Sequence, residues 1–299
     1  RRKIKSIHLK DHHITVIIPA RNEALRIHPL LDSLKPYKND VEIIIVDDHS
    51  EDDTGSLASS YGYHVVVPKE RPQGWKGKPW ALDQGVSKSK GDIIVFLDAD
   101  TILLRHGLEK IVSVFLETKT PLSIQPYHQM KTSVERLSVF FNVLVVMAAN
   151  TYTLFKNKLT PHAFFGPTQV MSKQDYLDFA TDPSVTSQVL EDIYLGKSFL
   201  KNGKRIRSIF GRNIVSFRMY PEGFKDMLLG FGKNFANGAI AIGLIQAILL
   251  SLWISAPYAT INILLTSLLT QGDILIPAFI YFVFGIQLYL FSRQIGNFN

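Results

Sequence analysis

The fold is decided by residues 93–100, which read IIVFLDAD. Five apolar residues, three of them β-branched, precede two aspartates that are separated by a single alanine. A short run of this kind predicts a strand that is buried on both faces of a sheet. Two carboxylates at a strand end can share a divalent cation, because such ions prefer hard oxygen ligands. The stretch therefore predicts a strand that delivers Asp98 and Asp100 to a metal site.

Three other short apolar runs resemble this one, and helix-like stretches separate them. Regular alternation of strands and helices is typical of an α/β fold, with a mixed, mostly parallel sheet that has helices on both faces. The predicted strands lie at residues 14–18, 41–46, 65–67 and 93–97, and the predicted helices at about residues 23–35, 53–61, 79–89 and 105–119.

Polar and acidic residues follow three of these strands directly. In a mostly parallel sheet, ligands bind beyond the carboxyl ends of the strands, so these residues are candidates for a binding site. Helix capping explains Ser50 and Asp52 but not a pair of aspartates after a buried strand. The sequence has no Gly-x-Gly-x-x-Gly fingerprint and no Walker loop, which favours a metal ion over a glycine cradle as the group that binds phosphate. The candidates are Pro19, Arg21, Glu23, Asp48, Asp98 and Asp100.

The last quarter of the chain is almost free of charge. Residues 234–272 and 274–292 contain no Asp, Glu, Lys or Arg. A membrane-spanning helix needs about 20 mostly apolar residues, which both runs supply. The first run suits one tilted span at about residues 244–269 or two short spans that break near Pro257, and residues 271–273 suit a turn before the second span. A buried helical hairpin in a soluble domain is the alternative.

The charge distribution separates two parts of the chain. The net charge is +7 and the 299 residues include no cysteine, which excludes disulfides and thiolate chemistry. Asp273 and Arg293 cancel within residues 234–299, so the whole excess lies on residues 1–233. Such a basic region beside a membrane favours anionic lipid headgroups, and no nucleic-acid-binding motif is present. Lys233 and Arg293 flank the spans and place their outer ends on the cytoplasmic side of the cell membrane. The predicted organisation is a basic segment at 1–12, a catalytic domain at 13–235 and a transmembrane hairpin at 236–299.

Four of these stretches together resemble glycosyltransferase family 2, in order and in spacing, over about residues 13–235. The resemblance implies the GT-A fold and an inverting transfer of a sugar from a nucleotide-diphosphate sugar such as UDP-glucose. The stretches are 17–23, 46–54, 96–100 and 190–196.

The resemblance also implies individual roles. Asp48 would contact the nucleotide base, in a pocket lined by Pro19, Arg21 and Glu23. Asp98 and Asp100 would form the Asp-x-Asp motif for Mg²⁺ or Mn²⁺, with Asp100 favoured as the direct ligand. Asp192 lies where the family has its catalytic base, beside Glu191, and its alternative role is to favour the helix dipole. We expect Lys78 to neutralise charge on the diphosphate leaving group.

Further stretches are similar to a narrower branch that acts on long isoprenoid lipids, the glycosyltransferases of C30 carotenoid acids such as 4,4'-diaponeurosporenoate. Glycosyltransferases of hopanoids share the Gly-Trp-x-Gly-Lys pattern, so a lipid hydroxyl is the alternative to a carboxyl acceptor. Trp75 and Trp80 are expected in a loop that closes over the substrates, with mutual packing as the alternative role. His128, His162 and Gly166 are expected on the acceptor side. The stretches are 74–81, 123–128, 162–167 and 217–224.

Residues 231–235 read FGKNF where many processive members of the family carry Gln-x-x-Arg-Trp. This difference favours a single sugar transfer over polymer synthesis and leaves Lys78 and Lys233 as candidates to hold the diphosphate. Residues 137–155 are expected to form a buried or interface-lying helix rather than a span. A catalytically silent membrane scaffold is the alternative from another functional class, and the intact candidate carboxylates speak against it.

Overall fold

A computed structural model describes residues 7–149, 161, 163–188, 190–220, 223–225, 227–232 and 244–298. The strands in these ranges are β1 (Ile14–Ala20), β2 (Glu42–Asp47), β3 (His64–Val66), β4 (Ile93–Leu97), β5 (Thr101–Leu103), β6 (Leu122–Gln125), β7 (Tyr127–His128), β8 (Thr168–Ser172), β9 (Arg207–Phe210) and β10 (Val215–Phe217). The helices are α1 (His28–Leu34), α2 (Thr54–Ser60), α3 (Gly77–Lys88), α4 (Gly107–Thr118), α5 (Ser133–Arg136), α6 (Val139–Ala148), α7 (Lys173–Phe179), α8 (Pro183–Thr186), α9 (Glu191–Lys201), α10 (Leu244–Thr270) and α11 (Leu275–Ile295).

The main sheet has the strand order β3-β2-β1-β4-β8-β6-β9. Strands β3, β2, β1 and β4 are parallel to one another, β8 is antiparallel to both β4 and β6, and β9 is parallel to β6. The mixed, mostly parallel α/β sheet predicted from the sequence is therefore confirmed. The register pairs Ala20 with Asp47, so the first two strands end side by side and their loops start at the same edge.

Helices cover both faces of this sheet. One core cluster joins one face to α1, α2 and α4, and a second joins the other face to α3, α7, α8 and α9. Ile17 and Ile18 are both fully buried and belong to different clusters, because successive side chains of a strand point to opposite faces. Gly85 lets α3 approach the sheet closely, since a Cβ there would lie 2.5 Å from Cγ2 of Ile17. This close packing holds the second half of α3 against β1 and β2.

Most predicted elements match the structure closely. Helix α1 starts at His28 rather than at about residue 23, because the backbone N–H groups of Arg26 and Ile27 both donate to the Glu23 carbonyl and form a turn there. The short helix α8 precedes α9, and Asp182 caps it by accepting from the Ser184 N–H at 2.7 Å. Strands β6, β8 and β9 and the small sheet of order β5-β10-β7 were not predicted.

Helices α10 and α11 are long and apolar enough to cross a membrane, with mean hydropathies of 1.7 and 1.8. Helix α10 is continuous through Pro257, so the prediction of one long helix is confirmed and the predicted break is wrong. The connection at residues 271–274 agrees with the predicted turn. Only 6% of the apolar window of α10 and 17% of that of α11 are buried. A buried hairpin in a soluble core is therefore the wrong alternative.

Helix α6 packs against both helices of the hairpin. With 10 residues it is too short to span a bilayer, and Asn142 is buried with its amide donating to the Ser138 carbonyl at 2.9 Å. Residues 150–155 of the predicted helix lie outside the described residues. Buried residues of α6, α11 and the segment before β8 form a third core cluster, which we call the membrane-side cluster. It contains Val143, Val146, Ala149, Ala163, Phe165, Phe291 and Ile295, with Ile193, Trp253 and Leu288 packed against it.

Candidate active site

The loops that follow β1 and β2 bind each other and form one wall of the site. Asn22 and His49 both have φ of 56°, a left-handed conformation that turns each loop sharply after its strand. The Glu51 N–H donates to Oδ1 of Asn22 at 2.8 Å, and the Asn22 N–H donates to Oγ of Ser50 at 3.0 Å. Ser50 therefore bridges the two loops, and the expectation that it caps α2 is wrong.

Arg21 and Asp48, both assigned to the nucleotide-base pocket, are close together in this wall. Nη1 of Arg21 lies 3.9 Å from Oδ2 of Asp48. A Cβ at Gly77 would lie 3.1 Å from that same oxygen and 3.5 Å from Nη1 of Arg71, so the glycine makes room for both side chains. Pro19 lies within β1, one residue before its end. Arg71 was not predicted from the sequence, although it comes shortly before the Gly-Trp-Lys-Gly-Lys stretch.

Glu23 lies close enough to Asp98 and Asp52 for their charges to affect its pKa. Burial raises the pKa of Glu23, Arg26 opposes this shift, and the negative charges of Asp98 and Asp52 add to it. Its Oε2 atom is buried and has no hydrogen-bond partner among the described residues. A buried carboxylate oxygen without a partner is costly, so a ligand that donates a hydrogen bond or carries positive charge is favoured here.

Asp98 and Asp100 lie where the sequence predicts, directly after β4. The Asp98 N–H donates to the Pro167 carbonyl at 2.9 Å, and Thr101 donates to the Asp98 carbonyl from its N–H at 3.0 Å and from its hydroxyl at 2.7 Å. Burial, then the charges of Asp98 and Glu23, raise the pKa of Asp100 to about 7. Mutual repulsion of these carboxylates is what a bound cation would relieve.

Lys78 lies in the first turn of α3, between two groups of carboxylates. Its Nζ is 2.8 Å from Oδ1 of Asp98 and 3.2 Å from Oε1 of Glu191. Burial alone would lower the pKa of Lys78, but Asp98, Glu191 and Asp192 raise it above its usual value. The ammonium group therefore stays charged and joins the Asp-x-Asp motif to the start of α9.

Glu191 and Asp192 begin α9, and Gly166 faces them. A Cβ at Gly166 would lie 3.0 Å from Oδ2 of Asp192 and 3.6 Å from Nζ of Lys78, so this position needs a residue without a side chain. Burial, then the charge of Glu191, raise the pKa of Asp192 to about 7, while Lys78 opposes the shift. A carboxylate that titrates near neutral pH is suited to accept a proton.

Trp75 and Trp80 lie at the loop that precedes and enters α3. Their rings pack edge to face with centroids 5.3 Å apart. Nε1 of Trp80 donates to the Lys69 carbonyl at 2.8 Å, and the Lys76 N–H donates to the Thr186 carbonyl at 2.8 Å. Packing accounts for both rings, and closure of this loop over substrates stays a prediction.

Of the two histidines predicted on the acceptor side, the structure describes His128 but not His162. His128 is fully buried in β7, with its ring 4.1 Å from that of Phe217. Burial lowers the pKa of His128 to about 3, so its ring is neutral. Contact of His128 with an acceptor stays a prediction. His162 lies outside the described residues, as does Lys233.

The donor set fits a divalent cation that also binds a diphosphate. Within the described ranges, no three side chains from His, Asp and Glu are grouped to hold a metal ion by themselves. Mg²⁺ is commonly bound by one or two carboxylates together with substrate phosphates, and Asp98 and Asp100 supply that number. Asp98 and Glu23 both act on the pKa of Asp100, and Oε2 of Glu23 has no hydrogen-bond partner among the described residues, so three carboxyl groups gather where a cation would bind.

A partly buried ion pair between Arg218 and Glu135 was not predicted. Arg218 donates to Oε1 of Glu135 at 2.6 Å from Nη2 and to Oε2 at 3.2 Å from Nε. The Lys131 N–H donates to the same carboxylate at 2.9 Å. The available signals were the sequence Thr132-Ser-Val-Glu135, which is a capping box, and the position of Arg218 in the stretch at 217–224.

Comparisons with known proteins agree with this geometry. Residues 15–178 match the family model described as glycosyl transferase family 2. A protein of Staphylococcus haemolyticus named 4,4'-diaponeurosporenoate glycosyltransferase is 36% identical over 245 residues, which is 80% of this chain and 65% of that protein. A protein of the same name from Staphylococcus aureus is 31% identical over 99% of this chain and 80% of its own length. The chain thus spans just under two thirds of the first relative and four fifths of the second.

Solved structures share the fold. Glucosyl-3-phosphoglycerate synthase from Mycobacterium tuberculosis, in complex with Mn²⁺, UDP and phosphoglyceric acid, has a TM-score of 0.52 at 22% identity, over 78% of this chain and 80% of that one. The same enzyme with Mg²⁺ and UDP has a TM-score of 0.54 at 21% identity, over 81% of this chain and 85% of that one. This likeness confirms the predicted GT-A architecture.

Proposed function

The chain belongs to glycosyl transferase family 2, and on that premise we propose that it is an inverting glycosyltransferase that moves one sugar, glucose, from UDP-glucose to an isoprenoid lipid in a membrane. The observation that carries this proposal is the position of Lys78. Its ammonium lies between Asp98 of the Asp-x-Asp motif and Glu191, next to the candidate base Asp192. Groups suited to a diphosphate and a group suited to a proton thus share one site.

The preferred acceptor is the carboxyl group of a C30 carotenoid acid such as 4,4'-diaponeurosporenoate. The name of both staphylococcal relatives supports this acceptor. Two exposed apolar helices beside the catalytic domain support a substrate that resides in the bilayer. Ile193, adjacent to Asp192, packs against the membrane-side cluster, so the candidate base lies next to the elements that carry the hairpin.

A divalent cation, Mg²⁺ or Mn²⁺, belongs to this proposal. Asp98 and Asp100 would hold it, and it would neutralise charge on the diphosphate. The related folds crystallised with Mn²⁺ or Mg²⁺ and UDP support this choice. Lys78 adds a fixed positive charge to the same part of the site, so the leaving diphosphate is met by the protein's own cation as well.

In the proposed transfer, Arg21, Glu23 and Asp48 hold the nucleotide. An acceptor oxygen forms a bond to the anomeric carbon from the face opposite the diphosphate, the bond from that carbon to the diphosphate oxygen breaks, and UDP leaves with the electron pair. Where the acceptor is a hydroxyl, Asp192 takes its proton. Gly166 leaves the space in which the Asp192 carboxylate lies.

A lipid hydroxyl, as in a hopanoid, is the second candidate acceptor. The pKa of Asp192, raised to about 7 by burial and by Glu191, favours it. A carboxylic acid with a pKa of about 4 to 5 is already ionised at neutral pH and needs no base. A catalytic base at Asp192 therefore favours a hydroxyl acceptor, whereas the name of the staphylococcal relatives favours a carboxyl acceptor.

The membrane arrangement completes the proposal. Helices α10 and α11 would form a multi-pass anchor, with the catalytic domain on the cytoplasmic side. The two helices pack against each other, Phe291 and Ile295 at the end of α11 belong to the membrane-side cluster, and Trp253 of α10 packs against it. Arg293 at this end agrees with the positive-inside tendency. Labelling of an introduced cysteine at residue 272 from one side of sealed vesicles tests the orientation.

Product mass spectrometry tests the acceptor. The full chain is reconstituted in liposomes that contain either the carotenoid acid or a hopanoid alcohol, with UDP-glucose and Mn²⁺. We expect a product with one added hexose on the carotenoid acid, and none with Asp100→Asn. The matched control is Asp178→Asn, an exposed carboxylate on α7 that accepts from Nε2 of Gln174 at 2.7 Å. A hexosylated hopanoid with no carotenoid product would show that the acceptor is the lipid hydroxyl and not the carotenoid acid. The absence of any lipid product would reject both acceptors.

A further inference from the structure

The end of membrane helix α11 is hydrogen-bonded into the small sheet of the catalytic domain. Gly296, the first residue after α11, forms a parallel bridge with His128 of β7. His128 pairs with Phe217 of β10, and Phe217 pairs with Thr101 of β5. These four residues form one row across the sheet, which we call the cross-sheet row. The row runs from the membrane helix to a residue directly after Asp100.

Asn297 fixes the membrane end of this row. Its N–H donates to the His128 carbonyl at 3.1 Å. Its side-chain amide makes two bonds to Met130, since Oδ1 accepts from the Met130 N–H at 2.6 Å and Nδ2 donates to the Met130 carbonyl at 3.2 Å. Gly296 allows the close approach, because a Cβ there would lie 2.8 Å from Cβ of His128.

The other end of the row holds the Asp-x-Asp turn. Thr101 is fully buried and gives two hydrogen bonds to the Asp98 carbonyl. These bonds determine the path of the backbone from Asp98 through Asp100 into β5. A shift of the row is therefore a shift of the two carboxylates that are proposed to bind the metal and the diphosphate.

The same end of α11 also supports the candidate base through side-chain packing. Phe291 and Ile295 belong to the membrane-side cluster together with Phe165, and Ile193 packs against it. Phe165 precedes Gly166, and Ile193 follows Asp192. Backbone pairing and apolar packing thus connect the last turn of α11 to both sides of the site.

We propose that residues 291–298 are a positioning element of the active site and not only part of a membrane anchor. Through the cross-sheet row they set the position of the Asp-x-Asp turn, and through the membrane-side cluster they set that of Asp192. Membrane attachment and binding of the sugar nucleotide are thereby coupled. This inference rests on the proposed function for its ligand, UDP with a divalent cation.

The test uses two matched pairs of variants in the full chain, reconstituted in liposomes. Asn297→Ala removes the two bonds to Met130, and its control Asn262→Ala removes a bond within α10, from Nδ2 to the Tyr258 carbonyl at 3.1 Å. Gly296→Ala forces a Cβ against His128, whereas its control Gly285→Ala on α11 meets no atom within 4 Å. Asn297→Asp keeps the oxygen that accepts from the Met130 N–H and serves as the conservative variant.

Binding of Mn²⁺ in the presence of UDP, followed by the electron paramagnetic resonance signal of free Mn²⁺, is the main readout. The loss of two hydrogen bonds predicts that Asn297→Ala weakens binding about fivefold to tenfold, with a smaller effect in Asn297→Asp. Gly296→Ala is expected to weaken it as well, and neither control changes it. Unchanged Mn²⁺ and UDP affinity in both Asn297→Ala and Gly296→Ala would overturn the proposal, as would an equal loss in the controls.

Hydrogen exchange separates this inference from the proposed function. The inference predicts faster amide exchange at residues 101–103 in Asn297→Ala than in the wild type or in Asn262→Ala, whatever the ligand is. A wild-type protein that binds no UDP with Mn²⁺ but shows this exchange pattern would refute the proposed donor and retain the structural coupling. Unchanged exchange at residues 101–103 in Asn297→Ala and in Gly296→Ala would refute the coupling itself.

Discussion

The two halves of the candidate site are built from different parts of the sheet. The donor half, Arg21, Glu23, Asp48, Asp98 and Asp100, follows β1, β2 and β4, which are parallel neighbours. The base half, Gly166, Glu191 and Asp192, comes from the segment before the antiparallel β8 and from the start of α9. Lys78 contacts both halves. The donor half is thus a product of the sheet's regular topology, and the base half depends on long-range packing around one lysine.

Replacement of Asp192 by Asn is expected to have the largest effect, and the effect should be confined to the base half of the site. With a hydroxyl acceptor, loss of the base is expected to lower kcat about a thousandfold, whereas a carboxylate acceptor is expected to lose far less. Binding of UDP with Mn²⁺ should be retained in both cases. Steady-state kinetics on the two lipids, with nucleotide affinity measured in parallel, check this. A comparable loss on both lipids would mean that Asp192 serves the donor half as well.

The pH dependence sharpens the same comparison. Because burial and Glu191 raise the pKa of Asp192 to about 7, the reactive, deprotonated form increases as the pH rises through that value. We expect kcat/KM for a hydroxyl acceptor to rise across pH 6 to 8 more steeply than for a carboxylate acceptor, by about tenfold. The ratio of the two profiles isolates Asp192, since titration of Asp100 affects both acceptors equally. A ratio that does not vary with pH would contradict the assignment.

Lys78→Met removes the group that joins the halves. The ammonium forms ion pairs with Asp98 at 2.8 Å and with Glu191 at 3.2 Å, and one hydrogen bond to a charged group is worth about 1.5 to 3 kcal/mol, so a loss of kcat of about a hundredfold is expected. The neighbouring Lys76→Met, which changes an exposed side chain, is the control and should retain activity. Turnover of UDP-glucose with acceptor lipid measures both. Near-normal turnover by Lys78→Met would show that Lys78 has no catalytic role.

Gly166→Ala tests how tightly the base half is packed. The new methyl group would lie 3.0 Å from Oδ2 of Asp192 and must displace that carboxylate. Small displacements of catalytic groups can lower rates by up to about a hundredfold, and we expect about tenfold in kcat with little change in UDP affinity. Gly285→Ala, which adds a methyl group in open space, is the control. A loss of UDP affinity equal to the loss of kcat would argue against an effect confined to the base half.

Trp80→Phe is expected to have the smallest effect. The change keeps a ring beside Trp75 and removes the hydrogen bond from Nε1 to the Lys69 carbonyl. One neutral hydrogen bond contributes about 0.5 to 1.5 kcal/mol, so KM for the sugar nucleotide should rise about threefold at unchanged kcat. Initial-rate kinetics in UDP-glucose measure this. A larger fall in kcat than in affinity would indicate that the loop acts on the reaction itself.

The donor half was predictable because its signals are local. Each strand of the parallel part is a continuous apolar run, and the residue that follows it lies at the same sheet edge as its neighbours. Asp48, Asp98 and Asp100 could therefore be assigned from spacing and resemblance alone. The two long apolar helices were predictable for a similar reason, since a long charge-free run is itself the signal.

The base half and the cross-sheet row were less accessible from the sequence. Strands of two or three residues, such as β5 and β7, are too short to show a period of two, and their pairing joins residues that are far apart in the chain. Nothing in the sequence around Gly296 indicates that it meets His128. The partners of Lys78 were also missed, because an ion pair across elements depends on how α3 and α9 pack. Local patterns thus indicated the groups proposed to bind the donor, and tertiary packing determined how they are connected.

Turnover of UDP-glucose by the full chain in liposomes, with Mn²⁺ and without it, tests the central claim most directly. We predict Mn²⁺-dependent release of UDP by the wild type, loss of about a thousandfold in Asp100→Asn, and retention in Asp178→Asn. Release of UDP that persists in Asp100→Asn, or no turnover of UDP-glucose or of another sugar nucleotide by the wild type, would contradict the assignment of this site as a glycosyltransferase centre.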